Sequence, residues 1–356
     1  MADRRTIEKI QRKQLETGDN SVKLLSSAPP EFSPDQLEVH AARRGRKLAE
    51  IRARSSTRRK DEKNLNTKAF WRARSETGYT KVARGYAALT EDEAGRQREQ
   101  WMKQNDHHLH VIDYLSHRRS NTAIADISAA IVWGIPIIGV PPDVVRRVSL
   151  GNISTRRTRH QRTRRTAVPP EVVTIGHVTV TSIEQTIVDI ACENGCEAAL
   201  IAADFALHNQ LTSVERITEL ASRQGPRPGI NNIRSVLAVA DGRVESPAES
   251  RMRWRFHVAG FAVPEPQVIV IAQGKVYRVD GYDATSRTIY EADGKYKYAL
   301  HENGQVQAFF DERNRDATLR SLGFTVLRVQ FSDVVDSARF EAWLGRYSIA
   351  PTRAAA

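Results

Sequence analysis

The sequence predicts an α/β protein of the α+β, multidomain kind, on three observations. Its 356 residues exceed the length of one ordinary domain. Residues 244–347 read as elements in the order α-β-β-β-α-β. Ahead of them lies a more helical region, marked by helix-capping sequences and entered through a basic segment.

Residues 1–66 are expected to form a basic arm, partly helical or disordered. Ser33-Pro34-Asp35-Gln36 is a helix start, with Ser as cap, Pro at the first helical position and Gln three after the cap. Leu37, Ala41, Leu48 and Ile51 then make a thin apolar stripe among arginines, too narrow by itself to hold a helix on a core. A solvated helix is the plain reading and a nucleic-acid-contacting arm the functional one.

Residues 67–240 change in composition. Lys81 to Tyr86 reads as a short strand turning at Gly85, and Ala123 to Trp133 as a helix stopped by Gly134-Ile135-Pro136. A strand–turn pattern with small amphipathic helices suits a winged-helix-like, DNA-binding region. Residues 154–166 hold six arginines, Arg156, Arg157, Arg159, Arg162, Arg164 and Arg165, with no carboxylate. Such a run repels itself and is expected as an exposed loop, either a solvated connection or a set of phosphate contacts. Two short strands flank Gly176-His177, and Ser182 with Gln185 opens a helix. A second helix runs from about Cys196 to His208, and Thr212 with Glu215 caps a third. Cys192 and Cys196 lack further ligands at metal spacing and read as core thiols.

The last domain, 244–347, opens with Ser246-Pro247 capping a helix to Val258. Strands follow at Gln267–Ala272, Val276–Tyr282 and Arg287–Ala292, then a helix at Gln305–Leu322 and a strand at Phe324–Val329. Residues 348–356 are expected as a disordered tail.

A net charge of +12 and a pI near 9.9 ask for a polyanionic partner, whether DNA, RNA or an anionic surface. Two cysteines exclude a disulfide-stapled fold, and the N-terminus has no signal-like apolar stretch, so a cytoplasmic protein is expected, nucleoid-associated if bound to DNA. The longest apolar run, Ala129 to Val140, is too short to span a bilayer and contains Gly134 and Pro136. His107, His108, His110 and His117 crowd one segment with Asp106 and Asp113, without the helix-face spacing of a zinc hydrolase. Walker-type and dinucleotide Gly-rich loops and a Gly-x-Ser-x-Gly elbow are absent.

Three acids carry the chemistry. Asp280 lies near the end of the second strand of the last domain, Glu291 and Asp293 at the end of the third. Residues two apart on a strand share a face, so Glu291 and Asp293 point the same way. Carboxylates converging there repel unless a cation sits between them, and hard oxygen ligands suit Mg²⁺ or Mn²⁺. Lys295 and Lys297 follow at the same spacing of two and could hold a phosphate or a nucleophilic water. The plain alternative is ordinary strand-end residues, Asp-Gly being a common turn pair.

The stretch Ser246 to Val329 resembles the PD-(D/E)XK, restriction-endonuclease-like fold. It is similar to the family related to very short patch repair endonucleases. The carrying segments are Ser246-Pro247-Ala248-Glu249-Ser250, Pro266-Gln267, Tyr277-Arg278-Val279-Asp280, Tyr290 through Tyr298, Glu312 through Asp316, and Gly323 through Arg328. The resemblance implies Mg²⁺-dependent cleavage of nucleic-acid phosphodiesters, of DNA more than RNA. Asp280 and Glu291 would be the metal-binding acids, Glu249 a supporting acid and Asp293 a third ligand. The lysine that this fold usually carries two residues after the second acid is Asp293 here, which leaves its role to Lys295 or Lys297. Gln267, Arg313, Arg315 and Arg328 become site or phosphate contacts. Residues 81–234 look more loosely like the AbiE-type antitoxin and transcription-regulator architecture, through Arg84-Gly85-Tyr86, Ser128 through Pro136, Thr181 through Asp189, Ala203 through Leu207, and Gly229. Two functions follow as expectations: a metal-dependent endonuclease targeted by a basic DNA-binding half, or a DNA-binding regulator whose nuclease fold has lost turnover.

Overall fold

The computed structural model describes residues 4–19, 21–57, 79–83, 86–89, 100–117, 121–151, 155–293 and 314–347, with backbone alone at 56–57, 79–83, 86–89 and 100–103. The chain divides into two compact units. One comprises Met1–Glu31, Ala203–Asn209 and Ser235–Ala356, the other Phe32–Ala202 and Gln210–Arg234.

The first unit is built on a five-stranded sheet with neighbours in the order Lys23–Leu25, Glu265–Ala272, Lys275–Asp283, Thr288–Asp293 and Thr325–Gln330. The first three pairings are antiparallel and the last is parallel, Glu291 lying beside Arg328. Alternation along Thr288–Asp293 splits the core between two faces. Tyr290 and Ala292 pack with Met252 and Phe256 of the helix Pro247–Val258 and with Phe340 and Trp343 of Ser337–Leu344. Ile289 packs with Val326, Phe324 and Leu319, the last from the helical residues 314–321. Glu291 and Asp293 therefore share the face of Ile289. The sequence places the start of that helix at Gln305, outside the described residues.

Part of the expected arm belongs to this unit. Lys23–Leu25 pairs with Ile269–Ile271 as the sheet's edge. The helix Arg4–Thr17 ahead of it is tied to the turn at Gly274: Gln11 Nε2 donates to Gly274 O (2.7 Å), and Gly274 N–H donates to Gln14 Oε1 (3.2 Å). Composition cannot reveal this, because a three-residue strand is held by backbone groups every sequence has.

The second unit corrects the expectation of a mainly helical middle. It carries a six-stranded mixed sheet in the order Arg156–Arg157, Gln161–Arg164, Val145–Ser149, Thr122–Ile124, Val178–Thr181 and Val172–Ile175. A separate three-stranded sheet joins Ser55–Thr57, Tyr86–Leu89 and Tyr79–Ala83. Residues 156–164 of the arginine run thus form a hairpin rather than a loop. The helix Pro34–Ala53 starts where Ser33 caps it but is no solvated rod, since Leu48 and Ile51 are buried. Ser182 caps Ile183–Asn194 as expected, its hydroxyl accepting from Gln185 N–H (3.2 Å). The next cap shifts by one residue. Ser213, not Thr212, accepts from the backbone of Val214–Arg223, while Thr212 donates to buried Glu184 (2.8 Å).

Candidate active site

Backbone geometry at the sheet of the first unit produces the candidate site. The ladder between Lys275–Asp283 and Thr288–Asp293 has its end at the Gly281–Tyr290 pair. One position further, the side chain of Asp280 replaces the backbone, Oδ2 accepting from Ala292 N–H (3.0 Å). The strand also rotates there: Val279 packs with Ile289 on one face, whereas a Cβ on Gly281 would meet Met252 and Tyr290 on the other. On the neighbouring strand Gln267 takes a positive φ of 55°, the left-handed region that a glutamine rarely occupies. Local strain of this kind gathers where side chains must be aimed.

Gln267 uses that conformation to donate from Nε2 to Glu249 Oε2 (2.8 Å). Glu249 sits in the first turn of Pro247–Val258 and is buried. Ser246 Oγ donates to its Oε1 (2.7 Å) and Glu245 N–H to its Oε2 (3.2 Å), so a helix cap doubles as a clamp on an acid. Burial and the neighbouring Asp280 carboxylate raise the Glu249 carboxyl above its ordinary range. Glu291 is buried too, and the same two causes push it up to about 7, against the pull of Arg315 and Arg328. Arg315 Nη2 reaches Glu291 Oε1 (2.9 Å) and also donates to Arg278 O.

Asp280 is thus in electrostatic contact with two buried carboxyl groups, as the sequence leads one to expect. Asp293 is elsewhere in the network. Arg328 Nη1 spans both its oxygens (3.2 and 3.3 Å), and Arg328 Nε and Nη2 take the two oxygens of Asp316 (3.0 Å each). A guanidinium forks between two carboxylates more stably than a third acid joins two like charges. Asp293, expected as a third ligand beside Asp280 and Glu291, is held by Arg328 instead, while Asp280 faces Glu291 and Glu249. Lys295, Lys297 and Arg313 lie outside the described residues. Among the described residues no three His, Cys, Asp or Glu side chains group so as to hold a metal.

Those acids still have a donor set suited to a hard divalent cation, because each further negative charge there raises its neighbours' proton affinity. Asp280 and Glu291 would hold the ion, and Gln267 would keep Glu249 aimed beside them. The histidine segment is accounted for structurally. His108 pairs with Ser128 (2.9 Å), His110 with Ser55 (3.1 Å), and buried Asp113 with Arg52 (3.0 Å) and His177 (2.8 Å).

In the second unit, Arg156, Arg157, Arg159, Arg162 and Arg165 are exposed on the hairpin, while Arg164 is turned inward. Arg164 Nη2 lies 2.6 Å from Asp189 Oδ1, a fully buried carboxylate that Arg227 also reaches (2.9 Å). One of the six expected DNA contacts is therefore part of the scaffold. Residues 126, 146 and 193, which line a cavity beside it with Arg162 and Arg164, were not singled out in the sequence. Their only signal was register: Arg146 pairs with Arg162 across two strands.

No family model matches the chain. Two proteins of Mycobacterium tuberculosis, Uncharacterized protein MT2308 of strain CDC 1551 / Oshkosh and Uncharacterized protein Rv2248 of strain ATCC 25618 / H37Rv, are each 30% identical over 150 residues. Each match covers 42% of this chain and 54% of the relative, so the chain spans about half the length of the curated relatives it matches. Among solved structures, the crystal structure of RV2827C protein from Mycobacterium tuberculosis aligns over 61% of this chain and 81% of that one, at 15% identity and a TM-score of 0.33. The chain is a mixed α/β protein, and none of its described helices is long and apolar enough to cross a membrane.

Proposed function

We propose that the first unit is a metal-dependent DNA endonuclease of the PD-(D/E)XK kind, hydrolysing phosphodiester bonds with Mg²⁺ or Mn²⁺. The observation that carries this reading is Asp280, set where two strands part with Oδ2 on the Ala292 N–H (3.0 Å), next to buried Glu291 on one strand and in the electrostatic field of buried Glu249 on the helix. Like charges facing one another across Asp280, Glu291 and Glu249 serve packing poorly, and a cation between Asp280 and Glu291 would relieve their repulsion. A divalent ion held there would polarise the phosphoryl oxygen and lower the pKa of an attacking water. Asp280 and Glu291 bind and orient, Glu249 holds negative charge behind them, and Arg315 and Arg328 lie within reach of a phosphate. Because Glu291 keeps its proton up to about pH 7, cation binding must expel that proton.

The test is cleavage of duplex, mismatched and single-stranded DNA, with RNA as a comparison, in Mg²⁺ or Mn²⁺. Asp280→Asn and Glu291→Gln should each reduce cleavage by at least about a thousandfold while leaving salt-sensitive DNA binding nearly intact. Mg²⁺ affinity, read by calorimetry, should tighten as pH rises through about 7, with release of a proton. A second reading rests on the Arg315–Glu291 ion pair at 2.9 Å, in which a guanidinium takes the place of a cation. The chain would then be a DNA-binding regulator with an inactive nuclease fold. Wild-type protein that neither binds Mg²⁺ nor cuts any of these substrates would establish that reading.

A further inference from the structure

The second unit holds a different polar cavity. It has a volume of about 60 Å³ and is lined by Ala125, Asp126, Arg146, Arg147, Arg162, Arg164 and Glu193. Arg146 and Arg162 are direct partners in a parallel strand pair, and Arg164 follows Arg162 by two residues. Strand spacing near 4.8 Å and a two-residue repeat near 6.6 Å bring the three stems out of one small patch of a single face. Three guanidinium groups so close repel one another. Asp189 offsets part of this, but it binds Arg164 and is shared with Arg227.

Asp126 faces these arginines from the start of the helix Asp126–Trp133. It is 5% exposed, it takes a φ of +56°, and its Oδ1 is buried without a hydrogen-bond partner. Arg164 Nε is likewise buried and unpartnered. A strained aspartate with an unanswered oxygen and an arginine with an unanswered nitrogen, lining one cavity, mark a place suited to a ligand.

We propose that this cavity binds a single phosphate group, gripped by Arg146, Arg162 and Arg164 and sharing one proton with Asp126. Size and valence select that ligand. The cavity has room for a tetrahedral oxyanion and opens to solvent, where the remainder of a larger ligand can lie. Guanidinium groups rising from two strands match tetrahedral oxygens better than the planar pair of a carboxylate. The lone Oδ1 needs a hydrogen, supplied either by its own carboxyl or by the P–OH of a phosphomonoester, whose second pKa is near 6. Burial, with Asp189 and Glu193 of the helix Ile183–Asn194, holds that proton on Asp126 up to about pH 6, while the Ile127 N–H and Arg146 oppose it. Exposed Glu193 is screened by solvent.

This proposal does not depend on the nuclease reading, and its experiment is run on the full chain in chelator, without divalent ions. Methyl phosphate, a monoester that carries no P–OH above its second pKa near 6, is titrated calorimetrically at pH about 5.5 and about 8. Wild type should bind at least about tenfold more tightly at the lower pH, and Asp126→Asn should abolish that difference by donating an amide N–H at both. Arg146→Gln and Arg162→Gln should each weaken binding about tenfold or more; Arg162 is exposed, so its loss leaves folding intact. Two further probes identify the source. If a short oligonucleotide gains affinity from a 5′-phosphate and loses that gain in Arg146→Gln, the ligand is a nucleic-acid end. If glycerol phosphate binds and the oligonucleotides do not, it is a small phosphomonoester. Absence of phosphate binding in wild type, or equal binding in both arginine variants, overturns the proposal.

Discussion

Gly229 has a φ of +77°, and a Cβ there would lie 2.8 Å from both the Cα and the carbonyl oxygen of Cys192. Those neighbours are helix backbone and cannot swing aside. Gly229→Ala should therefore add steric displacement to the left-handed penalty and destabilise the second unit by roughly 3 kcal/mol. Gly139 supplies the control: its φ is +78°, but nothing lies within 4 Å of the added atom. Gly139→Ala should lose only about 1 kcal/mol, the backbone penalty alone. Thermal melts of the two variants beside wild type separate the contributions. The sequence marks Pro226-Arg227-Pro228-Gly229 as a break, so the position of this glycine was legible. Its reason was not, because the partner is a backbone atom of a residue far away in sequence. The candidate site divides similarly. Asp280 and Glu291 declare themselves at strand ends, whereas the αL turn of Gln267 and the capture of Asp293 by Arg328 depend on tertiary partners.

Helices in the second unit end on partners that local patterning does not announce. Asp126–Trp133 leaves its last carbonyls to another helix, Pro34–Ala53. Arg44 Nε donates to Val132 O (2.7 Å), Arg44 Nη2 to Ile131 O (2.8 Å), and His40 Nε2 to Trp133 O (2.7 Å). A basic residue of a segment that reads as a solvated helix or a nucleic-acid-contacting arm is thus a helix cap. The capping sequence at Ser33 gave the start of that helix correctly, but its apolar stripe understated how it is held, because polar bonds to carbonyls carry no hydrophobic signature. Arg44→Ala takes the Arg44 donor from Val132 O and leaves Ile131 O with the Gly134 N–H alone, and should destabilise the unit by roughly 1–3 kcal/mol; Arg44→Lys, with one ammonium in place of a fork, should recover little. The helix Gln100–Ser116 makes a pH prediction. Burial lowers His108 and His110 to about 4 each, below the ordinary 6.5. Their folded pKa values are depressed, so their contribution is complete above about 6.5 and is lost as pH falls towards 4. Each can contribute on the order of 2–3 kcal/mol. Asp126, raised to about 6, acts in the opposite sense, its contribution being lost as pH rises through that value. Two histidines outweigh one aspartate in the second unit, so the stability of its amides against hydrogen exchange should fall on acidification from about pH 6.5 to about 4, whereas in the first unit Asp204 and Glu291, both raised to about 7, act in the opposite sense. His108→Gln, which keeps a partner for Ser128, should flatten that fall.

Across the whole molecule, the net charge of +12 suits a polyanionic partner without identifying one, and where the charge sits decides how it can act. Many arginines are committed inside the fold: Arg44 to carbonyls, Arg164 and Arg227 to Asp189, Arg328 to Asp293 and Asp316, Arg315 to Glu291. The exposed hairpin residues Arg156, Arg157, Arg159 and Arg165 remain available to a phosphate backbone. Each duplex phosphate neutralised by such a side chain adds about 0.9 to the slope of log affinity against log salt. Replacing these four by serine should lower the magnitude of that slope by up to about 3.6 if all four make contact, with weaker binding to every duplex sequence alike. The sequence-independence is part of the expectation, since guanidinium contacts to phosphate position a protein without reading bases. Arg164→Ser belongs to a different category. It removes one of two cations from a fully buried aspartate, so it should lower stability while leaving the slope of the folded protein almost unchanged. Binding isotherms at several salt concentrations, with a melt of each variant, distinguish the two effects. A slope equal to wild type in the fourfold variant would remove the hairpin from any DNA interface and leave the charge of this unit to the cavity beside it.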